Sequence, residues 1–545
     1  MRNECGVVKG DRVLINMPMI PEAVVAMLAC TRVGAVHSVV FGGFAAPELA
    51  VRIDDATPKC IIAASGGLEG LDKIVAYGPL VQAALDLAEH DVAHVIFKQR
   101  LEVEAKGDAP LPTNVGNGTL HDWDQLSSKG NALDDKAKAC ISCNTADPLY
   151  ILYTSGTTGV PKGVLRDHTH PVALQWVMEN FMKNKPGEVF WAASDIGWVV
   201  GHSFIVYGPL IQGCTSVLFE GKPVGTPDAA TFWRVIERHG VTNLYTAPTA
   251  LRAIRKEDPD LLLPSNHDIS SLRGIFLAGE RADPGTIDAY ATKLGVDMVD
   301  NWWQTESGWP MTGMQFKDVG TKSGSCSLPN PGYDVKVLDA ETHEEMPVGE
   351  LGSIAIKLPF PPGTMQTLYN NDQRYVDAYL TEFGNEYYSA GDAGMIDSDG
   401  YLSVMARTDD VINTAGHRLS TGQMEEIIST HPNVAECAVV GANDELKGQV
   451  PVGLVVLNAG QEGNEKEVVK GVIAKVREML GPVASFKSAA IVDGLPKTRS
   501  GKILRGVIQK IANGEEYKLP GTIEDVGPVD MAKEALESLN YPQKN

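Results

Sequence analysis

The sequence is short of positive charge, of cysteine and of long apolar runs, and each shortage excludes a class of protein. Its 545 residues carry 47 Lys plus Arg against 69 Asp plus Glu, a formal net charge of −22. That balance offers no basic footprint for a phosphate backbone, so a nucleic-acid scaffold is excluded. A nucleotide substrate, which needs only a few local cations, is not. Eight cysteines are too sparse for a disulfide framework and suit a reducing compartment. The one CxxC, Cys140 to Cys143, has no second CxxC or His pair near it and reads as two ordinary thiols rather than a zinc site. Residues 1–12 are charged and lack the apolar core of a signal peptide. The most apolar stretch, 13–44, is interrupted by Pro21, Glu22 and Arg32 and is a poor membrane span. No fixed-period repeat is present. The expectation is a soluble intracellular protein without membrane insertion, cytosolic and mitochondrial-matrix placement both remaining open.

What is present is ordinary globular composition, 43% hydrophobic and 21% charged, in a repeated order of short β-rich run, turn and amphipathic helix. Strands are expected at 13–16, 189–193, 215–219, 242–246, 274–278 and 296–299. Helices are expected at 21–33, at about 202–211, from a cap at Asp228 to before Gly240, and from Asp283. This alternation predicts parallel sheets covered by helices. Ligands of such sheets bind beyond the carboxyl ends of the strands, which selects the loops 194–200, 279–281 and 300–306 before any motif is considered. After about residue 330 the pattern turns β-rich, with strands at 333–338 and 351–357 and a hairpin around Asp397-Ser-Asp-Gly400. Beyond Asp409 a small α+β unit is expected, with strands at 434–440, 453–457 and 489–492, a helix at 465–480, and a polar, weakly patterned tail from about 513.

One string concentrates phosphate-binding chemistry. In Tyr153-Thr-Ser-Gly-Thr-Thr-Gly-Val-Pro-Lys-Gly163, hydroxyls and glycine backbone offer donors to phosphate oxygens, and Lys162 adds a cation. The spacing is not that of a P-loop, because Lys162 follows Gly159 by three residues and Pro161 precedes it. Two adjacent aromatics, Trp302 and Trp303, stand beside Gln304-Thr-Glu306 at an expected strand end, which favours a ligand site over core packing.

These strings resemble the adenylate-forming enzymes, and the resemblance covers nearly the whole chain. Asn301-Trp-Trp-Gln-Thr-Glu306, Arg407-Thr-Asp-Asp410, Ala415-Gly-His-Arg418 and Leu495-Pro-Lys-Thr-Arg-Ser-Gly-Lys502 are similar to the short-chain acyl-CoA synthetase branch, nearest its propionate-preferring, mitochondrial-type members. The resemblance implies a large N-domain, 1–408, of helix-covered sheets plus a β-rich subdomain. It also implies a small mobile α+β C-terminal domain, 409–545, with its hinge at Asp409. It places a family segment ahead of Lys9-Gly-Asp-Arg12 that is missing here. The implied substrates are a short-chain carboxylate, ATP and coenzyme A, with Mg2+ as cofactor. The carboxylate attacks the α-phosphorus, and the thiol then attacks the acyl-adenylate.

Roles follow by resemblance. Thr154, Ser155, Gly156, Thr157, Thr158, Gly159 and Lys162 hold ATP phosphates. Gly279, Glu280, Arg281 and the run Asp300, Asn301, Trp302, Trp303, Gln304 and Thr305 hold adenine and the α-phosphate. Asp392 takes the ribose hydroxyls, with Arg407 and Arg418 beside it. Thr305, Glu306 and Lys502 are catalytic, Glu306 also placing magnesium. Trp198, Val199, Val200, Ala278 and Trp303 form the acyl pocket, and Ala415, Gly416 and Arg477 contact coenzyme A. His431 and Val434 match a family cation site whose third position, Ser429, differs. Asn301 and Arg281 stand where acetyl-CoA synthetases have Thr and Pro. Ala278 and Val200 stand where they have Val and Thr, which implies propionate over acetate. The alternatives are an acetyl-CoA synthetase proper, a carrier-protein adenylation domain, or an inactive nucleotide-binding paralogue.

Overall fold

Runs of Val, Ile and Ala with both faces apolar form the central strands, and the computed structural model describes residues 1–542 apart from 72, 108, 155–160, 315–319, 415–416, 445, 462 and 500. The chain is mixed α/β, with a large N-terminal domain and a small C-terminal one. By compactness it divides into two units. The first is Met1–Tyr245 with Trp303–Trp309 and Pro361–Tyr375; the second is Thr246–Trp302 with Pro310–Phe360 and Val376–Asn545.

In the first unit, an eight-stranded sheet among the described residues runs in the order Thr367–Leu368, Lys162–Asp167, Pro148–Thr154, Val36–Val39, Arg12–Asn16, Cys60–Ala64, His94–Lys98 and Thr119–Asp122. From Pro148–Thr154 to Thr119–Asp122 every pairing is parallel. Cys60–Ala64 is buried at all five positions, as a strand covered on both faces must be. Helix Pro21–Val33 starts with Pro at its first position and ends at Gly34, whose φ of 71° favours glycine. Val189–Ala192 is flanked in parallel by Thr215–Ser216 and Val241–Thr246.

Three local differences from the sequence reading have physical causes. The strand expected at 215–219 is only Thr215–Ser216. After Val217 gives one more bond to the Phe190 carbonyl, Glu220 is drawn off by Arg100, which it holds at 2.8 Å through both oxygens. The helix expected from 202 starts at Val199 and runs to Ile211, its middle, His202–Tyr207, being π-helical. Pro209 has no N–H to give Ile205, whose carbonyl instead accepts from Ser216 Oγ at 2.7 Å. The helix before Gly240 begins at Thr231, because Asp228 caps the preceding turn by accepting from the Ala230 N–H at 2.8 Å.

In the second unit, parallel strands Gly274–Leu277 and Asp297–Asp300 are joined through helix Pro284–Leu294, whose cap, Asp283, accepts from the Thr286 N–H at 2.8 Å. Asp334–Leu338, Gly352–Lys357, Tyr387–Ile396 and Leu402–Arg407 form an antiparallel sheet in that order. The last sheet runs His417–Leu419, Ile412–Thr414, Gly448–Leu457, Val434–Asp444, with Ser488–Ile491 parallel to Gly448–Leu457. Its strands alternate faces. Cys437, Val439 and Val455 pack with helices Thr421–Ser429 and Glu465–Leu480. Ala438, Val440 and Leu454 pack with helices Arg505–Asn513 and Gly527–Ser538. The segment past 513 therefore differs from a weakly patterned tail: Val529, Ala532, Leu536 and Tyr541 bury themselves in that core. No helix among the described residues is long and apolar enough to cross a membrane.

Candidate functional site

The candidate residues fall into both units. In the first, Thr154 and Lys162 face each other in the antiparallel ladder of Pro148–Thr154 and Lys162–Asp167. Ser155, Gly156, Thr157, Thr158 and Gly159, between them, lie outside the described residues. Thr154 Oγ1 is buried and finds no hydrogen-bond partner among the described residues, a deficit that a phosphate oxygen would satisfy.

Trp303, Gln304, Thr305 and Glu306 are held by side chains far away in sequence. Trp303 donates its indole N–H to Tyr245 Oη at 2.7 Å and meets Phe204 edge-on at 5.4 Å. Phe204 belongs to the helical stretch that opens with Val199 and Val200, and Trp198, just ahead of it, packs against Phe41 at 5.3 Å. The Gln304 N–H donates to Ser307 Oγ at 3.1 Å. The fully buried Arg166 donates to the carbonyls of Thr305, Glu306 (3.0 Å) and Gly363 (3.1 Å). Gly308 has φ 76°, and a β-carbon there would lie 2.7 Å from Arg166 Cζ, so only glycine admits the guanidinium. Behind this loop, burial depresses His37 and His170 well below the usual imidazole range and holds His202 down to about 4. Burial therefore favours the neutral form of these histidines.

In the second unit, Ala278, Gly279, Glu280 and Arg281 follow the carboxyl end of Gly274–Leu277. Ala278 is buried. Glu280 accepts from the Thr249 N–H at 2.6 Å, from the Thr249 hydroxyl, and from Arg252 at 2.8 Å. Arg281 pairs with Glu426 and donates to Met405 Sδ at 2.8 Å. Asp300 closes the next strand. Burial pushes its carboxyl up to about 8, with Cys326 Sγ 3.7 Å away, so it is protonated at neutral pH. Asn301 Nδ2 donates to the Leu277 carbonyl at 2.9 Å, tying the two strand ends together. Trp302 donates its indole N–H to one oxygen of Asp392 at 3.0 Å, and Arg407 approaches the other at 3.2 Å. The three therefore meet in one place.

Lys502 is exposed, at the end of a turn closed by the Thr498 N–H to the Lys502 carbonyl at 2.8 Å. Lys497, at its start, pairs with Glu436 at 2.7 Å. Gly501, at φ 85°, brings this turn against Thr249, the residue that holds Glu280. Ala415 and Gly416 lie outside the described residues, as do the side chains of Asp409 and Arg418, whose backbones sit in Thr408–Asp410 and His417–Leu419. Arg477 is exposed in the last turn of Glu465–Leu480. His431 packs on Gly471, where a β-carbon would meet its Nε2 at 2.9 Å, and the Val434 N–H donates to the His431 carbonyl at 3.0 Å. Among the described residues neither belongs to a group of three His, Cys, Asp or Glu ligands.

The sequence reading missed the side chains that set these positions, Arg166, Tyr245, Thr249 and Arg252. It also missed Asp195, which accepts from the Gly197 N–H at 2.7 Å and whose carboxyl is pushed up to about 6 by burial. Asp195 lies in the 194–200 loop that strand topology selects, and that was its available signal. The others act through contacts distant in sequence and leave no local mark.

Residues 1–369 match the AMP-binding enzyme family, and residues 423–502 match the AMP-binding enzyme C-terminal domain. The chain is 48% identical over 544 residues to the mitochondrial acyl-CoA synthetase short-chain family member B of Dictyostelium discoideum, covering 99% of this chain and 78% of that one. It is 42% identical over 545 residues to the propionate–CoA ligase of Escherichia coli, covering 98% and 84%. In fold it is similar to the acetoacetyl-CoA synthetase from Streptomyces lividans, with a TM-score of 0.83, 23% identity, and coverage of 99% of this chain and 79% of that one. On these matches the chain belongs to the AMP-binding enzyme family, within its acyl-CoA synthetase branch.

Proposed function

We propose that the chain is an AMP-forming acid–thiol ligase that joins a short-chain carboxylate to coenzyme A, taking propionate in preference to acetate. The observation that supports it most is the seating of the Lys502 turn against Thr249, beside Glu280. A mobile cation carried to the strand ends is what in-line attack on a phosphoryl group requires. In the first half-reaction a carboxylate oxygen bonds to the ATP α-phosphorus and the bond to pyrophosphate breaks. Lys502 neutralises the charge that gathers on the attacking and phosphate oxygens. Thr154, the string through Gly159 and Lys162 hold phosphates, while the Trp302–Asp392–Arg407 cluster takes the ribose hydroxyls. Asp392 already has both oxygens engaged, so its orientation costs little on binding. The Glu306 carboxylate is a hard oxygen donor suited to magnesium, which when bound neutralises the leaving pyrophosphate. In the second half-reaction the coenzyme A sulfur bonds to the acyl carbon, the thiol proton is lost and AMP leaves, with Ala415, Gly416 and Arg477 along the pantetheine. The division at Asp409 and its role as hinge belong to the same proposal.

Propionate preference rests on Ala278 and Val200, with Trp303 closing the pocket against longer chains. One buried methylene is worth about 0.8 kcal/mol, and discrimination of roughly 1–3 kcal/mol is the ceiling for such a pocket. The test is kcat/KM for acetate, propionate and butyrate, on the native chain and on Ala278→Val. Propionate is expected to lead in the native chain and to lose ground to acetate in the variant. A native preference for acetate, or an unchanged ratio, overturns the substrate assignment.

A further inference from the structure

At the opposite ends of the parallel strands of the first unit, away from the carboxyl ends where α/β sheets place substrates, Cys5, His94 and His121 converge. Their ligand atoms all lie within 4.8 Å of one another. His94 is the first residue of His94–Lys98, and His121 lies on the neighbouring strand Thr119–Asp122. In the parallel register His94 faces Thr119 and Ile96 faces His121, so the two imidazoles are diagonal neighbours on one face of the sheet. Their Nδ1 and Nε2 are 3.1 Å apart. Cys60 stands directly opposite His94 on the other side. Cys5 comes from the first turn of the chain, closed by its N–H to the Met1 carbonyl at 2.9 Å, and is 1% exposed. Cys60 Sγ donates to the Ile61 carbonyl at 3.6 Å. None of these four residues serves the proposed ligase reaction.

We propose that Cys5, His94 and His121 form a three-ligand site for a zinc-type divalent cation. One thiolate with two imidazoles is a donor set of borderline softness, which selects zinc, cobalt and their neighbours over magnesium or calcium. The spacing suits a tetrahedral ion. Two nitrogens, each at ~2.0–2.1 Å from such an ion, are about 3.3 Å apart, and a sulfur at ~2.3 Å is about 3.6 Å from each. The imidazole pair already stands at the first distance. The Cys5 sulfur lies within 4.8 Å of both nitrogens. Without an ion, one of the two nitrogens donates its N–H to the other; a bound cation displaces that proton and replaces one hydrogen bond with two metal–nitrogen bonds. A bound ion would fasten the first turn of the chain to the edge of the sheet, a structural task rather than a catalytic one.

The test is a Co2+ titration of the full chain carrying Cys140→Ser and Cys143→Ser, which removes the exposed and half-exposed competing thiols, after stripping with a chelator. The expected result is one equivalent of Co2+ bound with a near-ultraviolet sulfur-to-cobalt charge-transfer band, displaced by Zn2+. Cys5→Ser abolishes that band, and His121→Asn weakens binding by roughly tenfold or more. Zn2+ raises the thermal midpoint of the parent more than that of His121→Asn, and ligase activity is the same in parent and His121→Asn. Because His121 is only half-buried on its strand, His121→Asn reports even if Cys5→Ser fails to fold. Absence of the band, its survival in Cys5→Ser, or unchanged affinity in His121→Asn overturns the site.

Discussion

Gly501 approaches Thr249 so closely that a β-carbon on it would lie 3.0 Å from Thr249 Cγ2. With φ at 85° the position is strained for any other residue as well. Gly501→Ala is expected to slow pyrophosphate release by roughly tenfold, the scale of 1–3 kcal/mol of strain at one residue. Thr249→Ser deletes Cγ2 while keeping the hydroxyl that serves Glu280, so the double variant should recover part of the loss. A double variant no faster than Gly501→Ala would show that the contact is immaterial.

Lys502→Ala should separate the two half-reactions. Loss of one electrostatic stabiliser costs about 3–4 kcal/mol, so acyl-adenylate formation is expected to fall by ~10²–10³. Supplied acyl-adenylate and coenzyme A should still give thioester near the native rate. Equal losses in both halves would argue against a role confined to adenylation.

Arg166 supports the Thr305–Glu306 backbone through its bonds to both carbonyls. Arg166→Met removes the donors to three carbonyls, at roughly 1 kcal/mol or more each. The midpoint of urea unfolding should drop by the equivalent of about 3 kcal/mol or more, and kcat should fall further than KM rises. Native-like stability in the variant would contradict this account.

Asp300 gives the chain a signed pH dependence. Its carboxyl is raised by burial from the ordinary 3.8 to about 8, so the folded chain holds a proton there that the unfolded chain releases. That contribution to stability is complete below about pH 4 and is lost as pH rises towards 8, with a limiting slope of about 1.4 kcal/mol per pH unit. Asp300→Asn cannot ionise. Relative to native it should gain stability steadily between pH 5 and 8 (approximate bounds) in urea unfolding, and parallel curves would show that Asp300 is ionised when folded.

The helix Gly527–Ser538 offers a further check. Leu536 is fully buried against the last sheet, so Leu536→Ala should cost roughly 2–5 kcal/mol. A cost under about 0.5 kcal/mol, the surface scale, would mean that this helix is not part of the core.

The helices 21–33 and 284–294 were legible because period and punctuation agree there: Pro21 and Gly34 bracket one, Asp283 and Gly295 the other; the strands Val36–Val39, Cys60–Ala64, His94–Lys98 and Thr119–Asp122 of the first sheet were not among those expected. The helix Gly527–Ser538 was missed because its buried residues are Val529, Ala532 and Leu536, with Ala535 partly buried beside them, too sparse a set in a polar stretch to stand out before the sheet that receives it is known. The candidate site divides in the same way. Trp302, Asp392 and Arg407 carry signals in their own strings. The grip of Arg166 on residues 139 and 140 positions away, and of Thr249 on Glu280, exists only once the chain has folded.

The indoles of two consecutive residues are given to unlike acceptors: Trp302 to the carboxylate of Asp392, Trp303 to the phenol of Tyr245. This makes the pair a built-in optical gauge. A ribose that draws on Asp392 would alter the surroundings of the first fluorophore and leave the second, boxed in by Phe204 and Tyr245, as an internal reference. Nucleotide occupancy could then be followed by the emission of the unlabelled chain, with loss of the response in Trp302→Phe identifying its source among the eight tryptophans.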